Sequence, residues 1–197
     1  DISAFNDMGA KYTTLQRFTL IKFLKDQLPD HLINYNKKIT KIDYEGENIG
    51  VTFENNTTIK CDYLVISDGI FSKTKSLIAK KEIKPKYFKS IALRATIDRD
   101  SLQGIDSSNI SLFLGSNLHT VSYPTNNKSQ FNFISILRKK LNTKEISDYS
   151  LFEKSDFISL ILSEISKQVD PDIIRNLKDI RCFPVFVSSE IHQPINK

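Results

Sequence analysis

The feature that most limits the possible folds is an apolar run at residues 63–66 (Tyr-Leu-Val-Ile), followed directly by Ser67, Asp68 and Gly69. A continuous apolar run of this length is typical of a strand buried on both faces, as in a parallel sheet. Open α/β sheets bind ligands at the carboxyl ends of such strands. The run therefore predicts a sheet edge at which Asp68 and Gly69 either form an ordinary turn, the commoner case for Asp-Gly after a strand, or face a ligand. Glycine permits close backbone approach there, and Ser72 is placed to cap the following turn.

The first part of the chain mixes a helix with short strands. Residues 15–28 carry apolar side chains at helical spacing, and Pro29 ends this predicted helix. Residues 39–61 form three alternating runs separated by turns, the first turn at Gly46. This pattern predicts a β-meander that leads into the apolar run.

After Pro85 the sequence changes to a series of alternating apolar runs. Alternating apolar runs predict a second, mostly antiparallel sheet with strands at residues 91–97, 110–114, 119–123 and 131–137. A helix is predicted at residues 157–169, ended by Pro171, and a last strand at residues 180–187. The predicted fold class is therefore α/β in the broad α+β sense.

Composition excludes several classes of protein. Hydrophobic residues make up 40% of the chain and charged residues 26%, which are globular values. No apolar run approaches the roughly 20 residues needed to span a bilayer. The two cysteines, Cys61 and Cys182, form neither a disulfide framework nor a metal motif, which favours the cytoplasm. The net charge of +5 comes from scattered lysines and favours a solvated surface over nucleic-acid binding.

The sequence contains no self-contained catalytic set. It lacks the HExxH, GxSxG and Walker patterns, and its histidines, His31, His119 and His192, have no metal-ligand spacing. We therefore predict neither a metal site nor a dedicated catalytic residue, and any chemistry depends on a bound ligand.

The segment around Asp68 resembles the Asp-Gly fingerprint of the flavoprotein monooxygenases of the p-hydroxybenzoate hydroxylase class. This chain supplies Asp62, the apolar run, Asp68-Gly69, Ser72 and Lys75. It departs from the family in having Ile-Ser where Gly-Ala is frequent before Asp-Gly. It also has Lys75 where Arg is usual, which keeps the charge but loses the bidentate fork.

The resemblance continues on both sides in the same order. Residues 12–17 with Leu20 and Leu24 look like the family's helix that carries an arginine near the flavin, here Arg17. Residues 119–124, which end in Tyr123-Pro124, look like a strand of its substrate domain. Residues 182–185 look like the segment that returns to the flavin domain. The implied domains are a partial FAD-binding domain at 1–86, a substrate domain at 87–185 and a return segment at 186–197.

The resemblance implies hydroxylation of an aromatic ring with O2, FAD and NADPH or NADH. The implied cofactor-binding residues are Arg17, Asp62, Asp68, Gly69 and Ser72. Arg94 and Tyr123 are expected to face the substrate from the second sheet. The pattern looks closest to ubiquinone-biosynthesis hydroxylases, which implies a polyprenyl phenol substrate and peripheral association of a cytoplasmic protein with the inner membrane.

Two family motifs are absent, the GxGxxG loop that binds the ADP half of FAD and the later Gly-Asp motif. We therefore expect an internal piece of a longer enzyme that is inactive alone. Three alternatives remain: a non-catalytic piece that cannot hold FAD, a binding module for an anionic partner, and a flavoprotein reductase of the same fold acting on isoprenoid chains.

Overall fold

The computed structural model describes residues 14–46, 48–101, 109–125 and 129–188. The α-helices are α1 (Arg17–Asp26), α2 (Lys73–Ala79), α3 (Thr143–Ser147), α4 (Ser155–Ile165) and α5 (Pro171–Arg175). The strands are β1 (Ile39–Glu45), β2 (Asn48–Phe53), β3 (Thr58–Cys61), β4 (Lys86–Asp98), β5 (Ser111–Leu114), β6 (Leu118–Thr125), β7 (Gln130–Arg138) and β8 (Lys178–Val187). This mixture of helices and antiparallel sheets confirms the predicted fold class.

The chain separates into two compact units. One unit comprises Asp1–Asp26 and Tyr87–Val185, and the other comprises Gln27–Lys86 and Phe186–Lys197. We call them the sheet unit and the turn unit. The predicted division into a flavin domain, a substrate domain and a return segment stays a prediction.

The turn unit contains the predicted meander. Strands β1, β2 and β3 form a three-stranded antiparallel sheet in that order. Gly46, with φ of 61°, lies in the turn after β1, where a left-handed backbone favours glycine. Val51 and Phe53 of β2 are buried. The rings of Phe71 and Phe186 pack edge to face, with their centroids 5.2 Å apart.

The prediction of a buried strand at residues 63–66 is wrong for this chain. No strand is formed between residues 62 and 72, and the side chains of Tyr63 and Val65 are 89% and 86% exposed. A strand requires a neighbour that receives its backbone hydrogen bonds. None of the described strands pairs with this segment, so Tyr63 and Val65 remain uncovered, while Leu64 and Ile66 are half-buried.

The sheet unit is built on a five-stranded sheet of order β5-β6-β7-β4-β8. The long central pair β4 and β7 runs antiparallel from Ser90 opposite Arg138 to Asp98 opposite Gln130. Alternate residues of these strands point into a core that α4 covers with Phe157, Ile161 and Ile165. The core-facing residues of the sheet are Ile91, Leu93, Ala95, Ile97, Leu118, Phe131, Phe133, Leu137 and Cys182.

Two helix predictions need correction in detail. Helix α4 ends at Ile165, and Pro171 begins α5 instead of ending α4, because proline is well tolerated in the first turn of a helix. Helix α1 forms within the predicted range, but none of its residues is buried. Its apolar side chains include Phe18, 75% exposed, and Phe23, 61% exposed.

Candidate functional site

The predicted Asp-Gly turn is present and well defined. Gly69 has φ of 82°, a backbone conformation that residues with a side chain rarely adopt. Its carbonyl oxygen accepts a hydrogen bond from the Ser72 amide at 3.3 Å. Ser72 Oγ accepts a hydrogen bond from the Lys75 amide at 3.1 Å and so caps α2, as the sequence predicts. These two hydrogen bonds join the turn to the first residues of α2.

The carboxylate of Asp68 is stabilised by the same turn. Partial burial raises its pKa, but hydrogen bonds from the side chains of Ser72 and Thr74 and from backbone groups lower it more, and the net pKa lies below 3.8. Asp68 is therefore ionised at neutral pH while remaining exposed. An ionised, exposed carboxylate can accept hydrogen bonds from ligand hydroxyls.

The space beside the turn is open. A Cβ placed on Gly69 would meet no atom within 4 Å, so the glycine is required by its backbone conformation and not by protein packing. A ligand can therefore approach this backbone directly. An acceptor such as the Asp68 carboxylate suits the hydroxyls of a ribose or ribityl chain.

The structure brings together only some of the predicted cofactor residues. Asp68, Gly69 and Ser72 share the turn, whereas Asp62 is exposed at the other end of the uncovered segment 63–66. Arg17 begins α1 and belongs to the sheet unit. Their roles in binding a cofactor stay predictions.

The predicted substrate residues share one face of the five-stranded sheet, the face opposite the core, which we call the outer face. Tyr123 is opposite Asn132, and Asn132 is also opposite Thr96. In the adjacent row, Ile134 lies between Val121 and Arg94. Arg94 and Tyr123 thus lie on the same surface in neighbouring rows, with strand β7 between them.

Asn132 is a residue of this face that our sequence analysis missed. Its Nδ2 atom is buried and has no hydrogen-bond partner among the described residues. Burying an amide donor without a partner is costly. The available signal was a polar side chain that precedes Ile134 and Ile136 on the outer face of β7. Its cross-strand neighbours Tyr123 and Thr96 both carry hydroxyl groups.

The described residues contain neither a metal-binding cluster nor a membrane-spanning helix. No group of three or more His, Cys, Asp or Glu side chains in this part of the chain could hold a metal ion. No helix within the same residues is long and apolar enough to cross a membrane.

Comparison with known proteins identifies relatives of this chain, although no protein-family model matches it. Salicylate hydroxylase from Pseudomonas putida is 24% identical over 149 residues, which are 69% of this chain and 34% of that protein. The 6-hydroxynicotinate 3-monooxygenase of Pseudomonas fluorescens is 32% identical over 92 residues, which are 47% of this chain and 24% of that protein. The chain is a relative of the FAD-dependent aromatic monooxygenases.

Solved structures of these monooxygenases share the fold. A salicylate hydroxylase–substrate complex superposes with a TM-score of 0.66 at 13% identity, over 86% of this chain and 45% of that one. Klebsiella pneumoniae HpxO complexed with FAD and uric acid gives a TM-score of 0.64 at 13% identity, over 87% and 43% of the two chains. The predicted resemblance to FAD-dependent aromatic monooxygenases is confirmed, whereas the narrower link to ubiquinone biosynthesis stays a prediction.

The matched region is only part of each monooxygenase. The chain spans about a third or less of the length of the curated relatives, and a little under half of the two solved structures. The match to part of each relative therefore does not establish the activity, substrates or partners of a whole protein.

Proposed function

We propose that this chain is part of an FAD-dependent monooxygenase that hydroxylates an aromatic ring using O2 and NADPH or NADH. The observation that carries the proposal is the open, hydrogen-bonded turn at Asp68 and Gly69, in a chain related to aromatic hydroxylases. When bound, FAD supplies the redox chemistry, with the reduced nicotinamide as electron donor.

The residues of the turn have binding and orienting roles in this proposal. Asp68, held ionised by Ser72 and Thr74, accepts hydrogen bonds from hydroxyls of the cofactor. Gly69 leaves the backbone accessible, and Asp62 and Ser72 support the turn. Arg17 offsets the negative charge of the cofactor's phosphates. The outer face of the sheet, with Arg94 and Tyr123, receives the aromatic substrate.

The first experiment is a titration of the 197-residue chain with FAD, followed by visible absorption and flavin fluorescence. We expect FAD to bind and to show a red-shifted, structured absorption band. The Asp68→Asn substitution should weaken the affinity for FAD about tenfold or more, because the amide cannot replace an ionised acceptor. The matched control is Asp43→Asn, which changes a carboxylate of the meander that pairs with Lys41.

The outcome of this titration separates the proposal from its alternatives. A chain whose flavin spectrum does not change at any FAD concentration is a non-catalytic piece or a binding module, and the proposal fails for the chain alone. Equal binding by the wild type and Asp68→Asn excludes the Asp-Gly turn as the cofactor site. Bound flavin without hydroxylation is expected of this chain alone, so a hydroxylase and a reductase of the same fold are distinguished by assaying phenols with the longer protein.

The narrower proposal is a role in ubiquinone biosynthesis, with a polyprenyl phenol as substrate and a cytoplasmic enzyme held against the inner membrane. It rests on the resemblance, and one observation favours it: α1 exposes Phe18, Ile21, Phe23 and Leu24 on a helix that also carries basic residues. Such a helix can bind a lipid surface through its apolar side chains.

A further inference from the structure

The five-stranded sheet ends at β5, an edge strand with two exposed leucines. Leu112 lies opposite Val121 in the outer-face row of β6, and Leu114 follows on the same face. These leucines are 56% and 77% exposed. Within the part of the chain that the structure describes, β6 is the one strand that pairs with β5. The other side of β5 therefore offers backbone groups and apolar side chains to a further strand.

The sequence of β5 differs from that of the other described edge strands, which are β1, β3 and β8. Charged residues and proline at a sheet edge prevent pairing with further strands. Each of the other edges carries such residues, namely Lys41, Asp43 and Glu45 in β1, Lys60 in β3, and Lys178, Asp179, Arg181 and Pro184 in β8. Strand β5 reads Ser-Leu-Phe-Leu, and residues 107–118 contain no charged residue. Short apolar segments without charge or proline pair readily with identical copies.

The backbone groups of β5 alternate between β6 and the free edge. The Gly115 amide donates to the Leu118 carbonyl oxygen at 2.7 Å. In an antiparallel pair, every second residue exchanges hydrogen bonds with the neighbouring strand. Because β5 pairs with β6 without a shift of register, Phe113 bonds to β6 as Gly115 does. The N–H and C=O groups of Leu112 and Leu114 therefore point to the free edge.

We propose that β5 pairs antiparallel with β5 of a second copy of this chain, about a two-fold axis at Phe113. Leu112 of each copy then exchanges two backbone hydrogen bonds with Leu114 of the other, and the same leucine pairs pack together on the outer face. A register shifted by one residue is excluded, because it sets the outer face of one sheet beside the core face of the other. Each copy contributes one unprotected edge, so the assembly closes at a dimer.

The proposed dimer is weak and reversible because its interface is small. Two symmetric leucine pairs bury much less than the roughly 1,200 Å² of a stable interface. We expect monomers to predominate at about 10 μM and dimers at about 1 mM. The proposal goes beyond the proposed function and does not depend on it, since pairing at β5 uses no flavin and no residue of the Asp-Gly turn.

The first test is sedimentation velocity of the 197-residue chain over this range, with amide hydrogen exchange of the same samples followed by NMR. We expect the average mass to rise towards that of a dimer. The amides of Leu112 and Leu114 should exchange about threefold or more slowly at the highest concentration, whereas the Phe113 amide, already bonded to β6, should change less. A monomer mass at every concentration overturns the proposal, and so does growth beyond a dimer.

Two variants test the register. Leu112→Lys and Leu114→Glu should each weaken self-association about tenfold or more, because each sets a charge against a leucine of the other copy. In an equal mixture of the two variants, the introduced lysine lies opposite the introduced glutamate, and association should recover to within about threefold of the wild type. A mixture that stays monomeric contradicts the pairing of Leu112 with Leu114 and overturns the proposal.

The matched control is Leu160→Lys, which makes the same change at a 45% exposed leucine on α4 of the same unit. This variant should dimerise as the wild type does, and an equal loss of association overturns the proposal as a general effect of charge. Thermal unfolding of each variant shows whether the fold is kept. If a variant unfolds, the mass and amide exchange of the wild type still decide the outcome.

Discussion

The two cysteines of this chain are in different surroundings, and this difference predicts their reactivity. Cys182 is 4% exposed in the core of the sheet unit, and burial raises its pKa to about 11. Cys61 is half-buried at the end of β3, with Sγ 3.7 Å from the Ile49 carbonyl oxygen. Only the thiolate is an effective nucleophile, so Cys182 is inert in the folded chain at neutral pH.

We expect one thiol to react with a disulfide reagent at pH 8 before unfolding and both thiols to react in urea. The Cys61→Ala chain should show no fast reaction, whereas Cys182→Ala should react as the wild type does. Mass spectrometry of the labelled peptides distinguishes the two sites. Fast labelling of Cys182 in the folded chain contradicts its burial.

The raised pKa of Cys182 also predicts a loss of stability in alkali. The folded state holds the proton more tightly than the unfolded state, so the stabilisation is complete below about pH 9 and is lost as the pH rises through about 11. The contribution is at most about 3 kcal/mol. We expect the urea midpoint of the wild type to fall from pH 8.5 to 10.5 more steeply than that of Cys182→Ala, with Cys61→Ala as the control.

At the level of secondary-structure elements, helix caps account for much of the local structure. Asn142 and Glu145 form a capping box at the start of α3, and Asp170 caps α5 just before Pro171. Our sequence analysis overlooked both short helices, although their capping residues are visible in the sequence. The cap at Ser72 was predicted because the apolar run and the Asp-Gly turn had already drawn attention to that segment.

The side chain of Ser72 both caps α2 and forms a hydrogen bond with the Asp68 carboxylate, and substitutions of Ser72 test both roles. Ser72→Ala removes the cap of α2 and should cost about 1 kcal/mol of stability in the turn unit. It also removes a hydrogen bond to Asp68, so the pKa of that carboxyl should rise towards its ordinary value. Ser72→Thr keeps a hydroxyl and serves as the control. Urea unfolding and 13C NMR titration measure the two effects, and an unchanged Asp68 pKa in Ser72→Ala contradicts the proposed support.

At the level of the whole molecule, the chain leaves large apolar side chains uncovered in both units. Val65 and Tyr63 are exposed in the turn unit, and the apolar side chains of α1 are exposed in the sheet unit. An amphipathic pattern on a helix predicts a buried stripe only if another element packs on it. Exposed apolar surface of this kind marks sites of interaction with other surfaces.

The narrower functional proposal makes α1 a membrane contact, which can be measured directly. We expect the chain to co-sediment with vesicles of phosphatidylethanolamine and phosphatidylglycerol, because Phe18 and Phe23 enter the interface and Arg17 and Lys22 contact anionic lipid. Phe18→Ser with Phe23→Ser should reduce the bound fraction severalfold. Tyr149→Ser, which changes an exposed aromatic residue elsewhere in the sheet unit, should not. A chain that stays in the supernatant with these vesicles contradicts the membrane proposal.

The sequence by itself determined those elements that depend on residues only a few positions apart. Alternation with a period of two residues predicted the meander and four strands of the larger sheet, and the Asp-Gly turn with its Ser72 cap was predicted from a few adjacent residues. These features depend on backbone conformation and on contacts within a few positions, so a single segment contains their causes. The family resemblance likewise rested on short motifs in the correct order.

Only the tertiary structure decided which segments acquire neighbours. Residues 63–66 have the composition of a buried strand, yet Tyr63 and Val65 remain exposed because no described strand supplies hydrogen bonds to this segment. Conversely, β8 is far from β4 in the sequence and lies beside it in the five-stranded sheet. Pairing between distant strands depends on how the whole chain packs, so neither the exposed run nor the position of β8 could be read from the residues around it.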